Sequence, residues 1–415
     1  MTSSAFSQSS RPAADGWKQV PQRDEIAPRF FTQNVGATAC LGLAGAGIDA
    51  VNGSWQKAFP VVAGKHFAFT GQYRATDIDQ PLRCVLVRLI WLDDAGQDLN
   101  RGEFPVPSLS PDKDGWTNLA GVYLVPEKAT SVRAELNLRF APKGQVLWRN
   151  IAVKESAPPA PRKVRLATVS RRPASGTPQK NLELFAADIA ELAAKKADIV
   201  CLPEGITVVG TGKKYADVVE PIPGPSTEFL GKVAARHKVY VAAGLYERDG
   251  KVLYNTCVLI GRDGKLIGKY RKACLPDEEV VGGLCPGSDF PVFETDFGRV
   301  GLMICWDLSY PEVSRALVEK GAEVILMPIW GGDETLARAR AIENQIHLVA
   351  SGYDFRSAIY APTGKSLASA AKDPREASES LVVEVDLNAV TNWPWIGNWK
   401  ARVSREMPTS GPSRE

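Results

Sequence analysis

Histidine is scarce in this sequence. Only His66, His237 and His347 occur in 415 residues, which removes most of the side chains that hold zinc or serve as the base of a thiol or serine hydrolase. His237 and His347 fall in stretches that read as a helix end and a strand start, so a Cys/His hydrolase lacks its imidazole. The seven cysteines, Cys40, Cys84, Cys201, Cys257, Cys274, Cys285 and Cys305, are odd in number and form no C-x-x-C pair. That disfavours both a disulfide framework and a zinc ribbon, and most are expected to be reduced thiols. No apolar run reaches the roughly 18 residues of a membrane span, and MTSSAFSQSSRPAADG at the start has no hydrophobic signal core. Net charge is only +3, with no dense Lys/Arg cluster interleaved with aromatics. TGKS at 363–366 lacks the earlier glycine of a phosphate-binding loop, and GLAGAG at 42–47 has the wrong spacing for a dinucleotide fingerprint. These absences predict a soluble, cytoplasmic protein with no metal, no cofactor, no membrane and no nucleic-acid partner, acting on a small molecule.

What is present is globular: 44% hydrophobic and 23% charged residues, in a chain long enough for two domains. The Pro-rich SAPPAPRK, 156–163, separates two periodicities. Before it, SVRAELNLRF alternates Val132, Ala134, Leu136, Leu138 and Phe140 with Arg133, Glu135, Asn137 and Arg139, the period of a half-buried strand. HFAFTGQYRA repeats the pattern through Phe67, Phe69 and Tyr73, and turn clusters such as DDAG and PDKDG separate further short strands. An antiparallel β-sandwich is expected at 17–155, after a disordered tail at 1–16. Beyond the linker, strands alternate with helices. RLATVS, a helical face of Leu182, Phe185, Ile189 and Leu192, and DIVCLP begin a β-α-β-α-β-β series that recurs from VGLMIC onward. Residues 164–400 are thus expected to form two similar halves of one α/β sandwich, with 401–415 as a tail.

In such folds ligands sit outside the carboxyl ends of strands. Three polar residues break apolar or strand patterns at such ends. Glu204 follows DIVCLP, Lys272 closes KLIGKYR, and Cys305 ends the apolar run of GLMICWDLSYPE, 301–312. Together they form a usable set: a carboxylate can take the thiol proton, and an ammonium stabilises both thiolate and oxyanion. Ser309 and Glu312 around Pro311 fit a capping box that starts a helix. Trp306 and Trp330 follow strands at the same edge and are candidate walls of the substrate pocket, although core packing suits each about equally.

LPEG, YRKACLPDEE and GLMICWDLSYPE resemble, in order and spacing, the three catalytic motifs of the nitrilase superfamily, the carbon-nitrogen hydrolases with a Glu-Lys-Cys triad. The resemblance implies an αββα nitrilase-like sandwich, here preceded by an all-β, jelly-roll-like domain similar to carbohydrate-binding modules. It also implies hydrolysis of a non-peptide C–N bond through a cysteine thioester, and homodimers or larger assemblies. Glu204, Lys272 and Cys305 take the triad positions. A second glutamate usual on the loop after the lysine falls to Glu279 by spacing, with its neighbour Glu278 as a substrate-binding candidate. Cys274 stands where many relatives have histidine. CWD, with Asp307, looks more like amidases and carbamoylases than the CWE of nitrile hydrolysers. A small amide or N-carbamoyl compound is therefore the expected substrate, with nitrile hydrolysis or acyl transfer as alternatives. A reading from another class is a saccharide- or partner-binding protein that uses the sandwich, with Trp17, Trp55, Trp91, Trp116 and Trp148 as stacking platforms; tryptophans of this kind are more often core.

Overall fold

The computed structural model describes residues 11–12, 14–393 and 397–406. The chain divides into two compact units, Met1–Ala160 with Val390–Glu415, and Pro161–Ala389. No helix among the described residues is long and apolar enough to cross a membrane.

In the first unit two six-stranded antiparallel sheets enclose the main core, and Cys40, Trp116 and Leu147 form a second, smaller buried cluster. One sheet runs in the order Arg11–Pro12, Lys18–Pro21, Asn52–Pro60, Ser131–Arg139, Val85–Leu92, Asp98–Glu103. The other runs Arg29–Val35, Thr38–Ala44, Gln145–Ser156, His66–Thr76, Thr117–Leu124, Val106–Pro107. Alternation explains the central strands: Val132, Ala134, Leu136 and Leu138 point inward, with Leu136 opposite Trp55 on one side and Val87 on the other. The expected alternation fails at Phe140. The strand ends at Arg139, Phe140 takes a left-handed φ of 55°, and its ring is 46% exposed beneath the guanidinium groups of Arg83 and Arg139.

The tryptophans are core, which corrects their reading as stacking platforms. Trp55, Trp91, Trp116 and Trp148 are at most 1% exposed and Trp17 is 7% exposed. Trp55 Nε1 donates to the Gly42 carbonyl at 3.0 Å, and Phe30 meets its ring edge-on. A second departure concerns the termini. Part of the tail expected at 1–16 is a short strand, Arg11–Pro12, paired with Lys18–Pro21; residues 1–10 and 13 lie outside the described residues. The sequence pattern places 390–400 with the second domain and 401–415 in a tail. In the structure Lys400–Glu406 is a helix of the first unit, where buried Arg405 donates to the Pro105 carbonyl at 2.8 Å and stacks on Phe104; 407–415 lie outside the described residues.

The second unit has four layers. Its first sheet runs Leu266–Arg271, Val252–Ile260, Tyr240–Asp249, Ile199–Cys201, Lys163–Ser170, Glu379–Asp386, and its second runs Val292–Glu294, Arg299–Leu302, Val324–Pro328, His347–Ser351, Ala358–Tyr360, Ser366–Ser369. Each contains three adjacent parallel strands followed by an antiparallel hairpin, the repeat expected from the sequence. Strands covered on both faces need continuous apolar runs, and Ile199–Cys201 and Val324–Pro328 are buried throughout. Leu166, Cys201, Ala242 and Leu259 of one sheet meet Leu302, Leu326 and Val349 of the other. Helices Pro178–Ala194 and Pro225–His237 cover the outer face of the first sheet through Phe185, Ile189, Leu230 and Ala234. Pro311–Glu319 and Glu334–Asn344 cover the second through Val313, Leu317, Ala337 and Ala341.

Trp55→Ala is expected to destabilise the first unit by about 3–5 kcal/mol, the cost of emptying a large core site, as read from chemical denaturation. A loss below about 1 kcal/mol would mean that the sandwich core does not depend on this ring.

Candidate active site

Four side chains converge at the carboxyl ends of the strands. Glu204 follows Ile199–Cys201 through Leu202 and Pro203, and is 2% exposed. Its loop crosses the adjacent strand closely: a Cβ on Gly244 would lie 2.6 Å from the Glu204 Cα, so only glycine fits there. Lys272 comes directly after Leu266–Arg271 and is 1% exposed. Its Nζ lies 3.1 Å from Glu204 Oε1 and 3.0 Å from Glu279 Oε2. Asn255, fully buried in Val252–Ile260, donates from Nδ2 to Glu204 Oε1 and to Glu279 Oε1, both at 2.7 Å. One ammonium and one carboxamide therefore hold two carboxylates together.

Sequence reasoning missed Asn255. The available signal was a polar residue in the middle of VLYNTCVLI, an otherwise apolar strand. Glu278 is the converse. It is exposed and outside the cluster, because successive residues on the helix Asp277–Val281 point about 100° apart and only Glu279 faces inward.

Cys305 follows Arg299–Leu302 and opens a 3-10 turn, Cys305–Ser309. Its φ is 45°, left-handed for a residue with a side chain, a conformation that costs about 1–3 kcal/mol and persists only where the surroundings enforce it. The half-buried Sγ donates to the Gly331 carbonyl at 3.6 Å. Trp306, next in the chain, is 42% exposed, whereas Trp330 is half-buried with its ring edge-on to Tyr353 at 5.0 Å. The capping box expected from Ser309 and Glu312 does not form. Ser309 belongs to the 3-10 turn, and helix Pro311–Glu319 starts at Tyr310 without a side-chain cap, Pro311 supplying its first position. Among the described residues, no three His, Cys, Asp or Glu side chains group as metal ligands.

Charges fit this geometry. Burial disfavours the Lys272 ammonium, but Glu204, Cys305 and Glu279 outweigh it and hold its pKa above the usual lysine range. Burial pushes the Glu279 carboxyl up, with the Lys272 charge opposing and Glu204 adding to the rise. Burial and then Glu204 push the Cys305 thiol up to about 12, against Lys272 and the backbone at Trp330 and Gly331. The resting nucleophile is thus a thiol, with the Glu204 side chain and the Lys272 ammonium in electrostatic reach. Such a set can transfer the thiol proton, form a nucleophile and stabilise the anion that follows.

Because the Cys305 pKa is raised, the thiolate fraction should increase with pH across the neutral and mildly alkaline range. Alkylation of Cys305 by iodoacetamide, read by peptide mass, should accelerate steadily from pH 6 to 9; a plateau below pH 8 would reveal a preformed thiolate instead. Lys272→Met leaves two buried carboxylates without their cation and is expected to cost about 3–5 kcal/mol of stability, measured by denaturant titration.

The sequence profile of the carbon-nitrogen hydrolase family matches residues 165–394, which leaves the first 164 residues outside the match. An omega-amidase NIT2 of Xenopus tropicalis is 34% identical over 241 residues, 50% of this chain and 83% of that protein. A probable nitrilase, C965.09, of Schizosaccharomyces pombe is 32% identical over 246 residues, 54% of this chain and 90% of that one. Among solved structures, Saccharomyces cerevisiae Nit3, a member of branch 10 of the nitrilase superfamily, aligns at TM-score 0.49 and 27% identity over 54% of this chain and 90% of its own. The family match spans more than half of the sequence and contains all three motifs: the chain belongs to the carbon-nitrogen hydrolases of the nitrilase superfamily.

Proposed function

We propose that this enzyme hydrolyses a small primary amide or N-carbamoyl compound through a thioester on Cys305. The observation that carries the reading is the contact of one buried ammonium, Lys272, with both Glu204 and Glu279. Glu204 Oε1 accepts from Lys272 and Asn255, while Oε2 is buried without a hydrogen-bond partner among the described residues, a site for a proton. The thiol proton moves to Glu204 as sulfur bonds to the substrate carbonyl. Lys272 and the backbone amide of Trp306 stabilise the tetrahedral oxyanion. Glu204 then returns the proton to the nitrogen, the C–N bond breaks, and ammonia or an amine leaves. Water, deprotonated by the same carboxylate, cleaves the thioester, releases the acid and restores the thiol. Glu279, held by Lys272 and Asn255, fixes Glu204 and the ammonium in register. The omega-amidase name carried by the Xenopus relative supports an amide as the bond cleaved.

A panel of matched amides, N-carbamoyl compounds and nitriles, scored for released ammonia, tests the assignment. The amide or carbamoyl member should show the higher kcat/KM in each pair, and acid quenching with intact-mass analysis should reveal an acyl adduct that vanishes in Cys305→Ala. Faster turnover of the nitriles would overturn the amidase reading. Full activity in Cys305→Ala, or an adduct on another residue, would overturn the mechanism. Hydroxylamine added as competing acceptor separates hydrolysis from acyl transfer, since a transferase would give hydroxamate as its main product.

A further inference from the structure

Asp307 lies two residues after the nucleophile, yet it does not face a substrate site. It is fully buried, and its carboxylate is filled by the protein itself. Oδ1 accepts from the Cys274 amide at 2.9 Å; Oδ2 accepts from the Ile304 amide and the Tyr270 hydroxyl, both at 2.8 Å. Tyr270 OH in turn accepts from the Ala273 amide at 3.1 Å. These partners fall into two groups. Ile304 precedes Cys305 and belongs to the nucleophile turn, whereas Tyr270, Ala273 and Cys274 flank Lys272. We propose that Asp307 is a positioning residue that ties the loop of Lys272 to the turn of Cys305 and so sets the separation of ammonium and thiol.

The proposal rests on the reading of Lys272 and Cys305 as catalytic partners, and three points support it. The two strands that end at these residues belong to different sheets, so no strand-pairing register fixes one against the other. Asp307 and Tyr270 supply hydrogen bonds across that gap. Cys305 sits in a left-handed conformation, which needs external restraint, and Oδ2 holds the amide of Ile304, the residue just before it. Finally, the donor set selects an ionised acceptor: two amides and one hydroxyl point at the two oxygens, leaving no acceptor for a carboxyl proton. Burial pushes the Asp307 carboxyl up, and the Ile304 and Cys274 amides, Tyr270 and Lys272 oppose that shift. The titratable groups facing Asp307 are Tyr270, Cys274 and Lys272, and those facing the thiol are Glu204 and Lys272.

Asp307→Asn in the full chain tests the proposal. Its amide oxygen can still accept from Ile304 and Tyr270, but its NH2 group then meets the Cys274 amide donor, which breaks one of the two hydrogen bonds that tie Asp307 to the segment around Lys272. The expected result is a folded protein with a cooperative melt, KM for an amide substrate close to wild type, and kcat per titrated active site lower by on the order of 100-fold, the size of effect that a misplacement of about 1 Å produces. A residue of merely structural importance would lower the melting temperature and leave kcat per titrated site unchanged; kcat within about twofold of wild type therefore overturns the proposal. If Asp307→Asn does not fold, Tyr270→Phe decides: it removes one donor from Oδ2, and kcat should fall about tenfold at unchanged KM, whereas an unchanged kcat overturns the proposal. Iodoacetamide labelling of Cys305 at pH 8 separates this test from the proposed function, because it requires no turnover. Labelling should be slower in Asp307→Asn than in wild type, as the ammonium no longer supports the thiolate. An equal or faster rate rejects the positioning role even if amide hydrolysis is established, and an inactive wild type with slowed labelling in the variant rejects only the amidase reading.

Discussion

The polar cluster at the strand ends of the second unit depends on one buried cation. Lys272 is 1% exposed, and an ammonium removed from water is tolerable only where charge and hydrogen bonds replace the solvent. Glu204 and Glu279 provide the charge, and Asn255 bridges the two carboxylates that would otherwise repel one another. None of the four is dispensable to the others. Taking away the lysine leaves two adjacent buried anions, and taking away one glutamate removes half of the compensation for the cation.

The layered architecture makes this concentration of charge possible. Two sheets stacked face to face carry their parallel strands in the same β-α-β order, so loops from both reach a common edge. Glu204, Asn255 and Lys272 come from the first sheet and Cys305 and Trp330 from the second. The apolar layer between the sheets, with Leu166, Cys201, Leu302 and Leu326 fully buried, supplies a rigid floor and a low dielectric beneath the cluster. That low dielectric raises the Cys305 thiol pKa and gives the Lys272 charge its reach.

How much of this was legible in the sequence depended on whether a residue interrupted a pattern. Glu204, Lys272 and Cys305 stand where apolar or strand periodicity stops, so their positions could be read from spacing and motif order. Glu279 rather than Glu278 follows from the direction of side chains on one helical turn. Asn255 was obscured because it lies inside a strand, and Asp307 because two of its three partners, the Cys274 amide and the Tyr270 hydroxyl, lie more than thirty residues away in sequence. In the first unit, alternation identified the inward residues of Ser131–Arg139 but continued one step too far. Nothing in SVRAELNLRF reveals that Phe140 leaves the strand in a left-handed turn. The segment after Val390 was misread because its membership of the first unit depends on tertiary contacts such as Arg405 with Pro105.

The proposed chemistry keeps the charge of the site constant, which explains why so buried a cluster can work. In the proposed scheme the thiol starts neutral, with Glu204 as the base beside Lys272. When the proton passes to Glu204, the negative charge moves to sulfur and then to the oxyanion, and Lys272 lies within electrostatic reach at every stage. No new charge is created in the low-dielectric interior; an existing one changes position around a fixed counterion. Preorganisation of this kind is effective only if the counterion does not move with the charge it follows. Asn255 anchors the carboxylates through its side chain, and its backbone carbonyl accepts from the Lys272 amide at 2.8 Å. The same residue thus restrains both the carboxylate at which the charge starts and the counterion around which it moves.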